Sequence, residues 1–352
     1  MYCVSYHCQA YELGWKEVTF LRAAYSCEKA MDSPGSAPLM PTAVLGTVVV
    51  VSHNSGGCIR QCLQALVPFT QWKIVLVDNH STDDTVRIVS TLPLEMCTVI
   101  NAQNAGFASA VNQAAKLAEG DLLVLLNPDT VATMGSIDKL VEALRMDSMG
   151  AAGGLLQSED GLPQKGFTVR RFPTIGSMLA EVLLLNRAWP SNPWNVHYRC
   201  LDLDYQKAQE IEQPAGACLA VKRRAWDEIN GFDEGFFPVW FEDVDFCRRL
   251  RDAGWRIVYC PDAIFSHSGA HSVNRLAFRD RQSYWYKNLV RYFAKHHSRA
   301  QTIILRVGIT VGLLFRALLS LMGFHPSGTS ISEAIAAYWH AAWHYGVRGG
   351  DL

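Results

Sequence analysis

Glu242, Asp243 and Asp245 fall within four residues, directly after Phe236, Phe237, Trp240 and Phe241. A carboxylate held beside aromatic surface suits a reaction in which a hydroxyl loses its proton as it attacks. The residues that follow keep helical spacing, with Phe246 and Leu250 apolar, Arg248, Arg249 and Arg251 polar, and a stop at Gly254. The three carboxylates are therefore expected in the first turn of a helix, where free N–H groups and the helix dipole favour negative charge. Acidic residues at a helix start also act as ordinary caps, and Asp245 is equally suited to capping or to holding an arginine. The rest of the chain has to decide between these readings.

A second polar set stands at the ends of apolar runs. Residues 47–51, 73–77, 97–100 and 122–126 read as buried strands, and 59–66, 82–90 and 108–119 as the helices between them. Continuous apolar strands alternating with helices imply an α/β fold, a mostly parallel, Rossmann-like central sheet with helices on both faces. Ligands collect at the carboxyl ends of such strands. Those ends carry Ser52 and Asn54, then Asp78, then Asn101 and Asn104, then Asn127 and Asp129. Turn chemistry alone favours such residues at any one position; four successive strand ends make a rim.

Several nucleotide and hydrolase signatures are missing. No Gly-x-Gly-x-x-Gly follows the first strand, no Gly-Lys-Ser/Thr loop exists, and no Gly-x-Ser-x-Gly elbow occurs. A Rossmann dehydrogenase, a P-loop NTPase and an α/β-hydrolase are thereby disfavoured. Lys+Arg (32) nearly cancels Asp+Glu (33), which removes any global charge argument for nucleic acid. With 49% hydrophobic and 18% charged residues over 352 positions, the chain has ample core for one large domain or two modest ones. Its ten cysteines include no Cys-x-x-Cys pair, the pattern of reduced cytosolic thiols.

Residues 150–212 are less regular, with a strand expected over 166–172 and a helix over 175–185. The aromatic and proline-containing stretch 189–205 has no clear period and reads as a binding loop. A strand over 214–221, a helical turn over 224–229 and a strand over 255–259 follow, then a polar loop over 266–272. No basic start followed by an apolar run marks a signal peptide, and residues 1–42 read as a loosely ordered extension.

Taken in order, Val51-Ser-His-Asn54, Val77 to Thr85, Asn104 to Asn112, Leu126-Asn-Pro-Asp129, Gly216, Gly231 to Phe237, Phe241-Glu-Asp-Val-Asp245 and His267 resemble the inverting GT-A glycosyltransferases of family 2. The nearest likeness is to the rhamnosyltransferase-like branch, over roughly residues 46–272. The resemblance implies a GT-A fold over 43–273, with 43–149 the nucleotide-sugar half and 150–273 the acceptor half. It makes Asp243 the general base, with Glu242 beside it and Trp240 and Gly216 on the acceptor side. Asp78 would read the pyrimidine base, with Ser52 and Asn54 nearby. Asn104 and Gly106 would line the nucleotide-sugar pocket. Asp129 takes the last position of the family's metal-binding Asp-x-Asp, whose first position here is Asn127, and His267 can complete the shell of Mg2+ or Mn2+. His271 has no such support.

The tail, residues 274–352, reads as helical and membrane-associating. Residues 302–323 are long and apolar enough to suggest a span. At about 100° per residue, however, Thr302, Arg306, Thr310, Arg316 and Ser320 fall in one sector and Ile304, Val307, Val311, Phe315, Leu318 and Met322 oppose them. Such a helix either packs on the catalytic domain or lies on the inner leaflet; the second is favoured, with Arg291, Lys295 and Arg299 as flanks. A second amphipathic piece, 331–345, brings Trp339 and Trp343. The expected protein is thus a cytoplasmic enzyme, peripheral on the inner face of the membrane. It would transfer a sugar, L-rhamnose from dTDP-rhamnose, to a hydroxyl of a cell-surface glycan or polyprenyl-linked acceptor, with no nucleic-acid partner. Two rivals are a sugar-nucleotide pyrophosphorylase, which needs a basic triphosphate loop that residues 52–57 lack, and a non-catalytic scaffold that binds nucleotide sugars.

Overall fold

The computed structural model describes residues 18–21, 44–269 and 276–349. A short strand, β1 (Val18–Leu21), comes first. The chain then alternates β2 (Gly46–Ser52), α1 (Ile59–Ala65), β3 (Trp72–Asp78), α2 (Thr85–Ser90), β4 (Cys97–Asn101), α3 (Phe107–Leu117) and β5 (Leu122–Leu126). A short β6 (Thr130–Ala132) and α4 (Ser136–Ala143) lead to the long β7 (Met149–Gln157). The middle holds β8 (Val169–Arg170), α5 (Ile175–Val182), α6 (Leu185–Ala188), α7 (Pro193–Tyr198), β9 (Gln209–Glu210) and β10 (Gln213–Pro214). Then come β11 (Cys218–Lys222), α8 (Arg223–Glu228), α9 (Glu242–Asp252) and β12 (Arg256–His267). Three helices, α10 (Phe278–His296), α11 (Arg299–Leu321) and α12 (Ile331–Ala341), and a π-helical turn (Ala342–Arg348) end the described chain.

One sheet runs β1-β4-β3-β2-β5-β11-β7-β12-β6, with β9 added on β12. Strands β4, β3, β2 and β5 are parallel, as the alternation of apolar runs and helices required. The second half is mixed: β11 lies antiparallel between β5 and β7, while β12 is parallel to β7. Every residue of β2 is buried, because both faces of the sheet are covered. Val49, Val51, Val75 and Val77 join α3 and Phe246 in one core, and Val48, Val50, Ile74 and Leu76 join α1 and α4 in another. That period-2 partition is the pleat of the strands expressed as packing.

Some expectations needed correction. The extension over 1–42 contributes an edge strand, since β1 pairs antiparallel with β4; its other residues lie outside the described ones. The strand over 166–172 shrinks to two residues, and the helix over 175–185 stops at Val182 before Leu184 takes a positive φ of 64°. The polar loop over 266–272 begins later, because β12 continues through His267, while His271 lies outside the described residues. The glycine-rich β7 was not foreseen as a strand, since Gly and Ala carry little β propensity.

The tail shares a third core with the sheet domain: Met178, Val182, Phe236 and Phe241 pack with Tyr286, Tyr292, Leu305, Leu313, Ala334 and Ala341. The polar sector of α11 turns inward. Arg306 donates to Gly346 O at 3.1 Å, and Arg316 donates to the carbonyls of Glu181 and Val182. Val307, Val311, Phe315, Leu318 and Met322 face outward, each roughly half exposed or more. Arg291 and Lys295 are not free flanks, because Asp233 and Asp245 engage them.

Candidate active site

Helix α9 starts from a tight turn. Trp240 and Phe241 both take left-handed backbone, with φ of 76° and 72°, which costs a non-glycine residue about 1–2 kcal/mol. The turn is held from outside: Asn288 of α10 donates to Val239 O at 2.7 Å, and the Phe241 ring packs against Trp285 and Tyr292. It delivers the helix N-terminus, with its carboxylates, to the cleft.

Asp243 Oδ2 accepts the Gly216 N–H at 3.0 Å and Oδ1 accepts the Val244 N–H at 2.8 Å. A Cβ on Gly216 would lie 3.1 Å from Asp243 Oδ2, so the carboxylate would have to give by a few tenths of an ångström to admit one. Burial pushes the Asp243 carboxyl above the usual aspartate range, against the pull of those two N–H groups and of Arg170. Glu242 is 5% exposed and its Oε2 has no partner among the described residues. Burial, then the charge of Asp243, pushes its carboxyl far higher, so the buried acid is poised to hold a proton. Asp245 turns away and is fully buried. Although burial opposes it, His296, Arg249 and Lys295 bring its carboxyl down to about 2. It holds an arginine, as one of its two sequence readings had it.

The other corner is built by strand ends. Asp129 follows β5, and its buried Oδ1 has no hydrogen-bond partner among the described residues. His267 closes β12 with Nε2 3.6 Å from that oxygen. Gln164 clamps this histidine twice: its Oε1 stands 2.8 Å from Nδ1 and its amide donates to His267 O at 2.7 Å. Phe167 stacks on the imidazole at 5.1 Å. With Nδ1–H donated to Gln164, the Nε2 lone pair faces Asp129. Burial pushes the imidazole pKa down, against the charge of Asp129, which favours the neutral, ligating form. An orphaned carboxylate oxygen and a neutral imidazole nitrogen fit one hard divalent cation whose other positions come from phosphate and water. Among the described residues, no group of three or more His, Cys, Asp or Glu side chains is arranged to hold a metal ion.

Both corners open on one cavity of about 520 Å3, lined by Asn104, Asn127, Asp129, Gly216, Trp240, Glu242, Asp243 and His267. Ser52, Asn54, Asp78 and Gly106 do not line it. Asp78 accepts hydrogen bonds from Ser52 Oγ, Ser81 Oγ and the Ser81 N–H, and Asn54 Oδ1 accepts the N–H of Thr82. These residues fix the loop after β3. Gly106 accepts from Asn79, whose side chain also reaches Asn104 and lines the cavity. Sequence reasoning missed Asn79, Gln164, Phe167, Arg170 and Glu181. Asn79 was legible as a strand-end asparagine; the others stand in the middle segment, where residue type and spacing gave no sign of a site.

Comparison with known proteins agrees with this architecture. A sequence model described as "Glycosyltransferase like family 2" matches residues 46–288. An N-acetylglucosaminyl-diphospho-decaprenol L-rhamnosyltransferase of Mycobacterium tuberculosis is 32% identical over 279 residues, 70% of this chain and 87% of that one. The rhamnosyltransferase WbbL of Escherichia coli is 24% identical, over 70% and 92% of the two chains. Among solved structures, the mannosyltransferase PcManGT from Pyrobaculum calidifontis, in complex with GDP-Man and Mn2+, superposes with a TM-score of 0.52. It is 19% identical, covering 91% of each chain, and speaks for the fold alone.

Proposed function

We propose, from the premise that this chain belongs to the family 2 glycosyltransferases and has their GT-A fold, a specific reaction for its cleft. It transfers L-rhamnose from dTDP-rhamnose, with inversion, to a sugar hydroxyl on a lipid-linked or growing cell-surface glycan. The rhamnosyltransferase relatives support the donor, and the diphospho-decaprenol in the name of one supports the acceptor. The observation that carries the mechanism is that Asp243, held by the Gly216 N–H, and Asp129, facing His267, line one cavity.

Asp129 and His267 would hold one divalent cation, Mg2+ or Mn2+, whose chemistry is to neutralise charge on the departing nucleoside diphosphate. Asn127, Asn104 and Asn79 offer neutral hydrogen-bonding groups to the donor, and Asp78, Ser52, Asn54 and Gly106 keep the loops around it in place. Asp243 takes the proton of the acceptor hydroxyl as its oxygen bonds to the anomeric carbon. The bond to the nucleoside diphosphate breaks on the opposite face, and the diphosphate leaves with the electron pair. Glu242, whose burial favours the protonated form, would donate a hydrogen bond to a substrate oxygen, and Trp240 would give the acceptor ring a flat apolar surface.

The outward face of α11, with Trp339 (61% exposed) and Trp343 (44%) nearby, supports peripheral attachment to the inner leaflet. That α11 is long and apolar enough to cross a bilayer does not make it a span, since its two arginines bond inward to backbone carbonyls. Replacing Asp243 by Asn tests the chemistry. Transfer to a lipid-linked acceptor is expected to fall by on the order of 10²–10⁴, while calorimetric binding of dTDP-rhamnose with Mn2+ persists. Turnover near that of the native enzyme would remove Asp243 from this role.

A further inference from the structure

Arg170 stands in the wall of the cavity, and no step of the proposed transfer assigns it a ligand. Its Nε donates to Gly166 O at 2.8 Å, and its guanidinium lies 5.8 Å from the ring centroids of both Phe167 and Tyr198. The planar group is thereby fixed at its stem and flanked by two aromatic faces. Among the described residues, neither Nη has a carboxylate or carbonyl partner. The neighbouring Arg199 differs, being engaged by Asn195 Oδ1 at 3.0 Å and Glu181 at 3.4 Å. A guanidinium with its stem pinned and its two terminal nitrogens open is pre-organised for two oxygens of one anion, the geometry that phosphate offers.

We infer that Arg170 is the phosphate-reading side chain of this cleft, taking two oxygens of a substrate diphosphate in its open fork. The inference rests on the glycosyl-transfer reading for its ligand, since both a nucleotide donor and a prenyl-diphosphate sugar bring such a group. Position favours the acceptor's diphosphate. Asp129 and His267 already serve the donor corner, whereas Arg170 is close enough to Asp243 for its charge to act on that carboxyl.

The test uses the full chain and its R170Q and R170K variants, with unchanged thermal midpoints as the check on folding. One arm measures calorimetric binding of dTDP, with and without Mn2+. The other measures KM for a prenyl-diphosphate sugar and for a phosphate-free alkyl glycoside of the same sugar. R170Q is expected to raise KM for the diphosphate acceptor by roughly ten- to a hundredfold, with the alkyl glycoside and dTDP unaffected. R170K, a point charge without the fork, recovers part of the loss. Weakened dTDP binding instead would assign the fork to the donor's diphosphate. Equal loss with both acceptors and unchanged dTDP binding overturns the inference. A native enzyme that transfers to no sugar acceptor, yet binds dTDP in an Arg170-dependent way, would sink the substrate reading and leave Arg170 its role.

Discussion

At the scale of single residues, the cleft separates two adjacent carboxyls by what surrounds them. Asp243 receives two backbone N–H groups, and Glu242 receives none at Oε2. Both are pushed upward by burial, Glu242 further. The acid limb of kcat/KM should therefore lie above the ordinary aspartate range, falling as pH drops through the raised value of the base. A limb at or below 3.8 in a pH–rate profile would contradict this. On the proposed donor role of Glu242, E242Q should keep transfer within about tenfold of native, whereas E242A should lose roughly ten- to a hundredfold. Stability carries the same signature. The Glu242 carboxyl titrates above 4.5 when folded, so its contribution is intact below 4.5 and is lost as pH rises through the raised value. Native protein should thus gain on E242Q in acid and not at neutral pH, as chemical unfolding at two pH values would read. Residue types and spacing singled out Asp243 and Asp129 as candidates, and the family resemblance added His267. Gln164 and Arg170 escaped because their meaning lies in what they touch: a histidine 103 positions away, and two rings that local pattern does not connect.

Elements decide how firmly these side chains are aimed. Helix α9 is anchored to α10 through Asp245, whose Oδ1 stands 2.7 Å from His296 Nε2 and 2.8 Å from Lys295 Nζ, while Arg249 holds Oδ2. Its folded carboxyl titrates at about 2 against 3.8 in the unfolded chain, so the stabilisation is complete above 3.8 and is lost as pH falls toward 2. That difference is about 2 kcal/mol. D245N should remove the acid-dependent part and, by leaving buried cations short of a partner, lower unfolding free energy by roughly 3–5 kcal/mol at neutral pH. The seam between α5 and α11 depends on small residues: a Cβ on Gly308 would meet Leu179 Cδ2 at 2.3 Å, and one on Gly312 would meet Val182 O at 2.1 Å. Gly312→Ala should therefore cost about 1–3 kcal/mol, read as a lower Tm. The parallel strands and most helices were legible from apolar period and strand-end polarity. The order of the second half was not, because β11 enters between β5 and β7 only after the middle segment has left the sheet and returned.

For the whole molecule, α11 packs on the domain through Leu305, Ile309 and Leu313 and still presents a second apolar face to the outside. Its arginines and Ser320 are satisfied or buried inside beside those three, and Ile304, Val307, Val311, Phe315 and Leu318 look out. The wheel drawn from sequence separated the two faces correctly; which one met the protein needed the carbonyls of Val182 and Gly346, which no pattern reveals. Replacing Val311, Phe315 and Leu318 together by Ser should abolish co-sedimentation with anionic liposomes while leaving dTDP binding intact. Liposome binding that survives the triple change would move the attachment surface elsewhere.

Asn288 and the rings of Trp285 and Tyr292 also bear on how such an enzyme can be handled. They belong to the tail, yet they buttress the left-handed turn from which the base helix departs. A shortened chain ending at 273 would keep Asp129, Asp243 and His267, yet lose Trp285 from the cavity wall and the strut behind Asp243. A detergent-free reagent is better sought by repainting the greasy side of α11 than with scissors.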